Sequence, residues 1–495
     1  MAEYLIGIDA GCTSSKAVIF DTDGRIIASA ATPSMRFKKR RADFEEFDVN
    51  ELWNLVSGTI KESIQKAKID PSLIRGIGVT SFGNGVVFLD KDGNSIAPGC
   101  FSQDYRANEI LEKYKKEGTY DKINDIIKGT LWAGQPAPIL RWYKENDREI
   151  YDKIGGFFTF KDYLMYRLTG VFATDLDCIG GSALLDMETM EYSRELMELF
   201  GIPELYDVLP KLAEPTEIIG CVTEEAAKLT GLKVGTPVVA GMMDILACLV
   251  GAGATGGGVY TAVAGSWCIN ETHSERIIPG ASANMPYLHK GEYLNCSYTG
   301  ASGSNYEWFI HTLGDKRDVS IFDVLNELIS EVRPEDAKVI FSPFVAQPSI
   351  HPNAKANFIG IDQNTSYAEI CYSVAEGVAY IHKYHVDFLK TAGLPLDTIR
   401  LTGGIARSKV WKQIFADVLQ VPIVGVDCEE TGALGSAIVA GIGAGVYSNY
   451  EEAFNRAVKT KAPVMPRLEK YPCYEKRYAE WTNINEMMKE YWNYK

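Results

Sequence analysis

The chain has 495 residues, 46% of them hydrophobic and 23% charged, and carries a formal net charge of −15. That length is more than one ordinary core accommodates and calls for two large domains, and the composition is that of an ordinary soluble globular chain. The acidic balance argues against a general nucleic-acid binder, which needs a basic face, but not against a nucleotide, where local amides, a lysine and a cation decide.

The first residues, Met1-Ala2-Glu3-Tyr4, have no basic start and no long apolar core. No secretory signal is therefore expected, and the location expected is cytoplasmic. Tyr4-Leu5-Ile6 reads as a strand, Ala17-Val18-Ile19-Phe20 as a second, and Arg25 to Ala30 as a third after the turn Asp21-Thr22-Asp23-Gly24. Between the first two lies Gly7-Ile8-Asp9-Ala10-Gly11-Cys12-Thr13-Ser14-Ser15-Lys16, the tip of a β-hairpin. Its glycine, hydroxyls and lysine are what a triphosphate needs, and Asp9 suits a Mg²⁺ ion held through water. A plain polar hairpin tip is the alternative, and the loop is not a Walker motif.

Asp48-Val49-Asn50 opens a helix that runs to about Ala67, with Leu52, Leu55, Val56, Ile60 and Ile64 on one face. Ile74 to Thr80 reads as a buried strand ending in Ser81-Phe82-Gly83-Asn84-Gly85, a place where open α/β sheets contact ligands. Phe101-Ser102-Gln103-Asp104-Tyr105-Arg106 is a polar cluster able to bind several hydroxyls, or a solvated helix cap. Trp132, in Thr130 to Pro136, offers an aromatic face to a sugar or belongs to the core.

Pro237 to Ala247 is a buried strand running into Gly241, after which the single carboxylate Asp244 opens an apolar helix. Burial raises a carboxylate's pKa and suits it to accept a proton, and an N-cap role is the alternative. The apolar region 234–263 is broken by Pro237, Asp244 and many glycines and makes a poor membrane span. Gly258 to Ile269, with the Gly265-Ser266 turn, repeats the opening hairpin in shape, which suggests two domains of one design, each with a phosphate loop. Thr299-Gly300-Ala301-Ser302-Gly303-Ser304 is a further glycine loop. Ile399 to Ser408 is a strand ending in Gly403-Gly404 before a helix, a junction suited to a nucleoside or its phosphates. Glu430-Thr431-Gly432-Ala433 opens a small-residue helix, and Tyr471 to Lys495 reads as a terminal helix. The ten cysteines include no C-x-x-C and read as reduced core thiols, and His382 and His385 lack the further ligands of a metal site.

The ordered set of the Asp9 hairpin, Gly241-x-x-Asp244, the Gly265-Ser266 hairpin, Gly403-Gly404 and the Glu430 helix resembles the FGGY carbohydrate kinases over nearly the whole chain. Supporting patterns run from Gly134-Gln135-Pro136 to Glu145-Asn146 and from Ala356 to Glu376, with Ile139, Tyr143 and Ala375 as departures. Ser102 to Ala107, Thr130 to Trp142 and Gly83-Asn84-Gly85 look most like the L-xylulose kinase branch.

The resemblance implies an α/β fold of two actin-like (ribonuclease H-like) ATPase domains, residues 1–242 and 243–495, with a cleft between them. It implies ATP and Mg²⁺ as cofactors, a sugar substrate, no nucleic-acid or membrane partner, and a homodimer. In that frame Asp244 is the catalytic base and Asp9 the metal residue. Gly11, Thr13, Ser14, Lys16, Gly265, Ser266, Gly403, Gly404 and Ser408 serve ATP, and Asp104, Asn84, Gln103 and Trp132 serve the sugar. The reaction implied is phosphorylation of a pentulose such as L-xylulose. Another polyol or sugar acid (erythritol, glycerol, gluconate, D-xylulose) and an actin- or Hsp70-like nucleotide switch are the alternatives.

Overall fold

The computed structural model describes residues 2–12, 14–33, 35–265, 267–313, 321–346 and 348–494. The first sheet begins with the antiparallel meander β1 (Tyr4–Ala10), β2 (Ser14–Asp21) and β3 (Ile26–Pro33). It continues through the parallel strand β4 (Ile74–Ser81), then β5 (Ile218–Cys221) and β6 (Pro237–Val239). The short β7 (Met242–Met243) also pairs with β4, which makes a seven-stranded sheet of order β5-β6-β4-β1-β2-β3.

The second sheet repeats the plan. Its strands are β8 (Val259–Ala264), β9 (Cys268–Ser274), β10 (Ala283–Pro286), β11 (Tyr293–Thr299), β12 (Thr398–Thr402) and β13 (Ile423–Val424). The order is β10-β11-β9-β8-β12-β13, again an antiparallel meander beside parallel strands, here four antiparallel strands followed by the parallel β12 and β13.

The sequence explains why β1 and β4 sit in the middle. Ile6, Ile8, Ile77 and Val79 are buried, and helices cover both faces. On one face lies α1 (Val49–Ala67), whose Leu52, Val56, Ile60 and Ile64 are buried as their spacing predicts. Asp48 caps it by accepting from the N–H groups of Asn50 and Glu51.

On the other face glycines bring sheet and helix into direct contact, with Leu5, Val18 and Val239 packing around that contact. There α5 (Thr431–Gly443), which follows α2 (Asp244–Gly251), α3 (Tyr367–Lys390) and α4 (Lys409–Leu419) in the chain, lies backbone against backbone on β1 and β4. A Cβ at Gly78 would sit 2.0 Å from the Ser436 carbonyl oxygen, and one at Gly7 1.8 Å from that of Ala433. α5 meets α2 equally closely, since a Cβ at Gly435 would lie 1.9 Å from the Ala247 carbonyl oxygen. These two helices therefore join the first sheet to the second half of the chain.

Residues between β4 and β5 form a separate small core around Phe88, Leu111, Leu140, Phe157 and Phe200. His382 and His385 are buried in α3, their ring nitrogens engaged by Asn270, Ser302, Ser297 and Ser349. All ten cysteines are free thiols, but Cys12 and Cys221 are exposed rather than core residues, because each lies at a strand end open to solvent. Among the described residues no helix is long and apolar enough to cross a membrane.

Gly78→Val tests the backbone contact. Valine suits the strand, so its cost is the clash with α5, about 1–3 kcal/mol. A urea titration should show the midpoint falling accordingly.

Candidate active site between the two sheets

The ends of β1, β4, β8 and β12 converge at the cleft. Asp9, at the end of β1, lies opposite Lys16 of β2 and beside Thr80 of β4. The hairpin tip closes with the Gly11 N–H donating to the Ser14 carbonyl at 3.0 Å. Lys16 is not free: its ammonium lies 2.6 Å from the Glu430 carboxylate, at the cap position of α5. Asp9 abuts the first turn of that helix, where a Cβ on Gly432 would come 2.7 Å from Asp9 Oδ2. Burial pushes the Asp9 carboxyl up to about 6, Lys16 pulls it down, and Glu430 pushes it up further.

Asp244 opens α2 directly after β7, whose Met243 lies beside Ser81 of β4. Met243 occupies the cap position and makes no side-chain capping bond. Asp244 accepts from the adjacent Ile245 N–H at 2.8 Å. Burial, and then the nearby Asp9 charge, push its carboxyl up to about 7.

Asp244 lines a cavity of about 260 Å³ whose walls come from both halves of the chain. Asn84, Trp132, Gln135 and Gly181 line one side, and Trp267 and Tyr298 the other. Asn84 is buried with φ +65°, a left-handed conformation that asparagine tolerates. Its Oδ1 has no protein partner, which marks it as an acceptor available to a ligand. Trp132 and Trp267 are 37% and 43% exposed, and both line the cavity, so each offers ring surface to a ligand. Gln135 ties the walls together, accepting from the Trp132 N–H at 2.9 Å and donating to the Gly181 carbonyl at 2.8 Å.

A second, larger cavity of about 690 Å³ is lined by Gly265, Tyr306, Asn326, Gly404 and Ser408. Gly403 has φ +91°, and a Cβ there would stand 2.6 Å from Ala264, so only glycine brings the loop after β12 against the β8–β9 hairpin. Ser408 caps α4 through the Trp411 N–H and donates to Asn326 Oδ1 at 3.0 Å. The β8–β9 hairpin thus separates the cavities, Gly265 facing the larger and Trp267 the smaller. Thr13 and Ser266 lie outside the described residues.

Two expected sugar residues are elsewhere. Asp104 is fully buried, and both its oxygens are engaged by the Arg106 side chain, the Arg106 N–H and the Glu45 N–H at 2.8–3.0 Å. Arg106 also binds Glu46 and Tyr143, so the polar cluster is an internal ion pair rather than a hydroxyl-binding surface. Gln103, beside it, points to solvent and does not line the cavity. Sequence reasoning passed over Trp267, Tyr298, Gln135 and Glu430 as site residues. Trp267 had a usable signal, a large aromatic placed straight after the Gly-Ser turn.

The N-terminal domain model of the FGGY family of carbohydrate kinases matches residues 4–251, and its C-terminal domain model matches residues 260–444. The chain belongs to this family. It is 30% identical to an L-xylulose/3-keto-L-gulonate kinase of Escherichia coli, over 98% of this chain and 97% of that protein. It is 32% identical to a probable L-xylulose kinase of Haemophilus influenzae, over 88% and 90% of the two chains. The fold matches that of a crystallised xylulose kinase from Rhodospirillum rubrum with a TM-score of 0.91, at 24% identity and over 99% and 100% of the two chains. A gluconate kinase from Lactobacillus acidophilus matches at 0.89, with 22% identity over 99% and 98%. The two-domain actin-like α/β architecture expected from the sequence is therefore present, and the protein is a carbohydrate kinase acting with ATP.

In this kinase the Asp244 charge costs stability. Its folded pKa lies above the value of 3.8 for a free side chain, so the folded state holds a proton that the unfolded chain has lost between pH 4 and 7. That contribution is fully present below pH 4 and lost as pH rises through about 7. Asp244→Asn removes the charged form, so at pH 8 its melting temperature, read by differential scanning fluorimetry, should exceed the wild-type value by a few degrees.

Proposed function

We propose that this kinase transfers the γ-phosphoryl group of ATP to a hydroxyl of a neutral pentulose of the L-xylulose type, with Asp244 as base. The observation that carries the reading is a single carboxylate with a raised pKa at the wall of a small cavity built from both halves of the chain. The cavity volume suits one small sugar. The two tryptophans suit its apolar faces, and the unpartnered Asn84 Oδ1 suits a hydroxyl donor.

Charge supports a neutral acceptor. Among the described residues the lining includes no lysine, arginine or histidine, and Asp244 adds negative charge. A sugar acid would enter without a counter-charge. The E. coli relative's name covers both a neutral and an acidic sugar, and this lining favours the neutral one.

ATP fits the larger cavity, its nucleoside along the Gly403-Gly404 turn, where backbone can approach closely, and beside Ser408. The backbone amide of Gly265 and the hydroxyls of Thr13, Ser14 and Ser266 are the proposed phosphate donors, as the family resemblance implies, while Gly11, whose own N–H closes the hairpin tip, lets the backbone come close. Lys16 adds positive charge from its pair with Glu430.

Asp9 fits Mg²⁺, since it is a carboxylate pushed up by burial and a second carboxylate, which is the environment a divalent cation relieves. When bound, the ion neutralises charge on the transferring phosphoryl group. Asp244 takes the hydroxyl proton as the sugar oxygen attacks, a step worth about 10²–10⁴-fold in rate. Closure of the two halves would exclude water and so limit ATP hydrolysis. The homodimer and the cytoplasmic location stay part of the proposal, and light scattering on the purified protein tests the former.

ADP release with Mg-ATP should be fastest with L-xylulose in a panel of L- and D-xylulose, L- and D-ribulose, glycerol, erythritol and gluconate. Preference for gluconate would overturn the neutral-sugar reading. Asp244 acts deprotonated, so kcat should fall with pH along an acid limb near pH 7. Asp244→Asn should lose the limb and about 10²–10⁴-fold of kcat while still binding ATP. Asp9→Ala should raise the Mg-ATP concentration needed more than the sugar concentration. Unchanged Mg²⁺ and ATP titrations would remove Asp9 from the metal role.

A further inference from the structure

A buried ion cluster lies outside both cavities and serves no step above. Lys161 is completely buried, and its ammonium lies 2.7 Å from Asp162 and 2.8 Å from Asp175. The same ammonium donates to the Ala240 carbonyl at 2.6 Å. Its three N–H groups thus have three oxygen neighbours, and it is the cation of the site. Asp162, Asp175 and Cys178 stand close enough together to hold a metal ion, but the ammonium already fills that role. Asp162 is completed by the hydroxyls of Thr159 and Thr174 at 2.6 and 2.7 Å. Asp175 caps the short helix Leu176–Gly180 by accepting from the N–H groups of Asp177 and Cys178.

That cap places Asp177. Its Oδ2 accepts from the Met243 N–H at 2.9 Å, while its Oδ1 has no partner. The cluster therefore grips the chain at two points, the Ala240 carbonyl and the Met243 N–H, on either side of Gly241-Met242. Gly241 has φ +67°, and a Cβ there would stand 2.3 Å from the Val79 carbonyl oxygen. At this kink the chain leaves β6 and rejoins the sheet as β7, and Asp244 is the next residue after the grip.

We propose that Asp177, anchored by the Lys161 cluster, is a positioning residue for phosphoryl transfer. Its hydrogen bond to the Met243 N–H holds the kinked segment and so sets where the Asp244 carboxylate meets the sugar hydroxyl. This rests on the reading of Asp244 as base. Burial and the Asp175 charge push the Asp177 carboxyl well above the usual range, and an asparagine amide oxygen can accept the same Met243 N–H.

The test compares Asp177→Ala, Asp177→Asn and Asp244→Asn in full-length enzyme, with Mg-ATP and L-xylulose or whichever sugar of the panel gives the fastest ADP release. Asp177→Ala should lower kcat about 10- to 100-fold, as a misplaced catalytic group does, with the KM for Mg-ATP within about twofold of wild type. Asp177→Asn should recover kcat to within about threefold of wild type, because its amide oxygen still accepts from Met243. The proposal is overturned if Asp177→Ala keeps wild-type kcat, if Asp177→Asn is damaged as much as Asp177→Ala, or if the loss tracks a fall in melting temperature with both KM values rising. Undiminished turnover in Asp244→Asn would instead remove the base reading, a separate outcome.

Discussion

The arrangement depends on one packing constraint, the backbone-to-backbone contact of α5 with β1 and β4 on one side and with α2 on the other. Glycines at 7, 78 and 435 let the backbones touch where these elements cross. The starts of α2 and α5 and the end of β1 are thereby drawn to one place. Asp244, Glu430 and Asp9 stand at those three ends, close enough for their charges to act on one another. A conventional layer of leucines would hold a helix some 8–10 Å from its neighbour. The β1–β2 hairpin and Asp244 would then belong to separate surfaces.

This convergence concentrates negative charge. Lys16 is paired with Glu430, so neither Asp9 nor Asp244 has a full counter-ion from the protein. Both carboxyls rise as a result, and the two consequences differ. At Asp9 the uncompensated charge suits a divalent cation. At Asp244 it makes a proton acceptor near neutral pH, at a cost in stability that an apolar or amide side chain would avoid. Under the proposed mechanism the chain keeps a destabilising group where the chemistry needs it.

How much of this could be read beforehand varied with the kind of interaction. The strands, α1, the Asp244 helix and the duplicated hairpin were legible because periodicity and turn residues are local. The placement of Asn84 and Trp132 on the cavity wall was also legible, since glycine-flanked polar and aromatic residues at strand ends and bends commonly face clefts. Asp104 was misjudged because its environment is set by Arg106, Glu45 and a fold of the inserted region that brings them together. A polar cluster looks the same in sequence whether its charges face a ligand or each other. Asp177 and Lys161 gave no signal as a unit, for their partners are Ala240 and Met243, more than sixty residues away.

The sequence by itself determined the two-fold repeat of the hairpin design, the glycine turns at 11, 265 and 403–404, and the isolated carboxylate at 244. Each is written in residues adjacent along the chain. Only the tertiary structure decided which polar groups remain unsatisfied and therefore open to a ligand. Asn84 keeps a bare oxygen and Asp104 does not, because satisfaction depends on the partners that distant segments bring. The cavity's lack of cationic side chains among the described residues was likewise a matter of assembly, since its walls come from both halves of the chain and neither half alone encloses it.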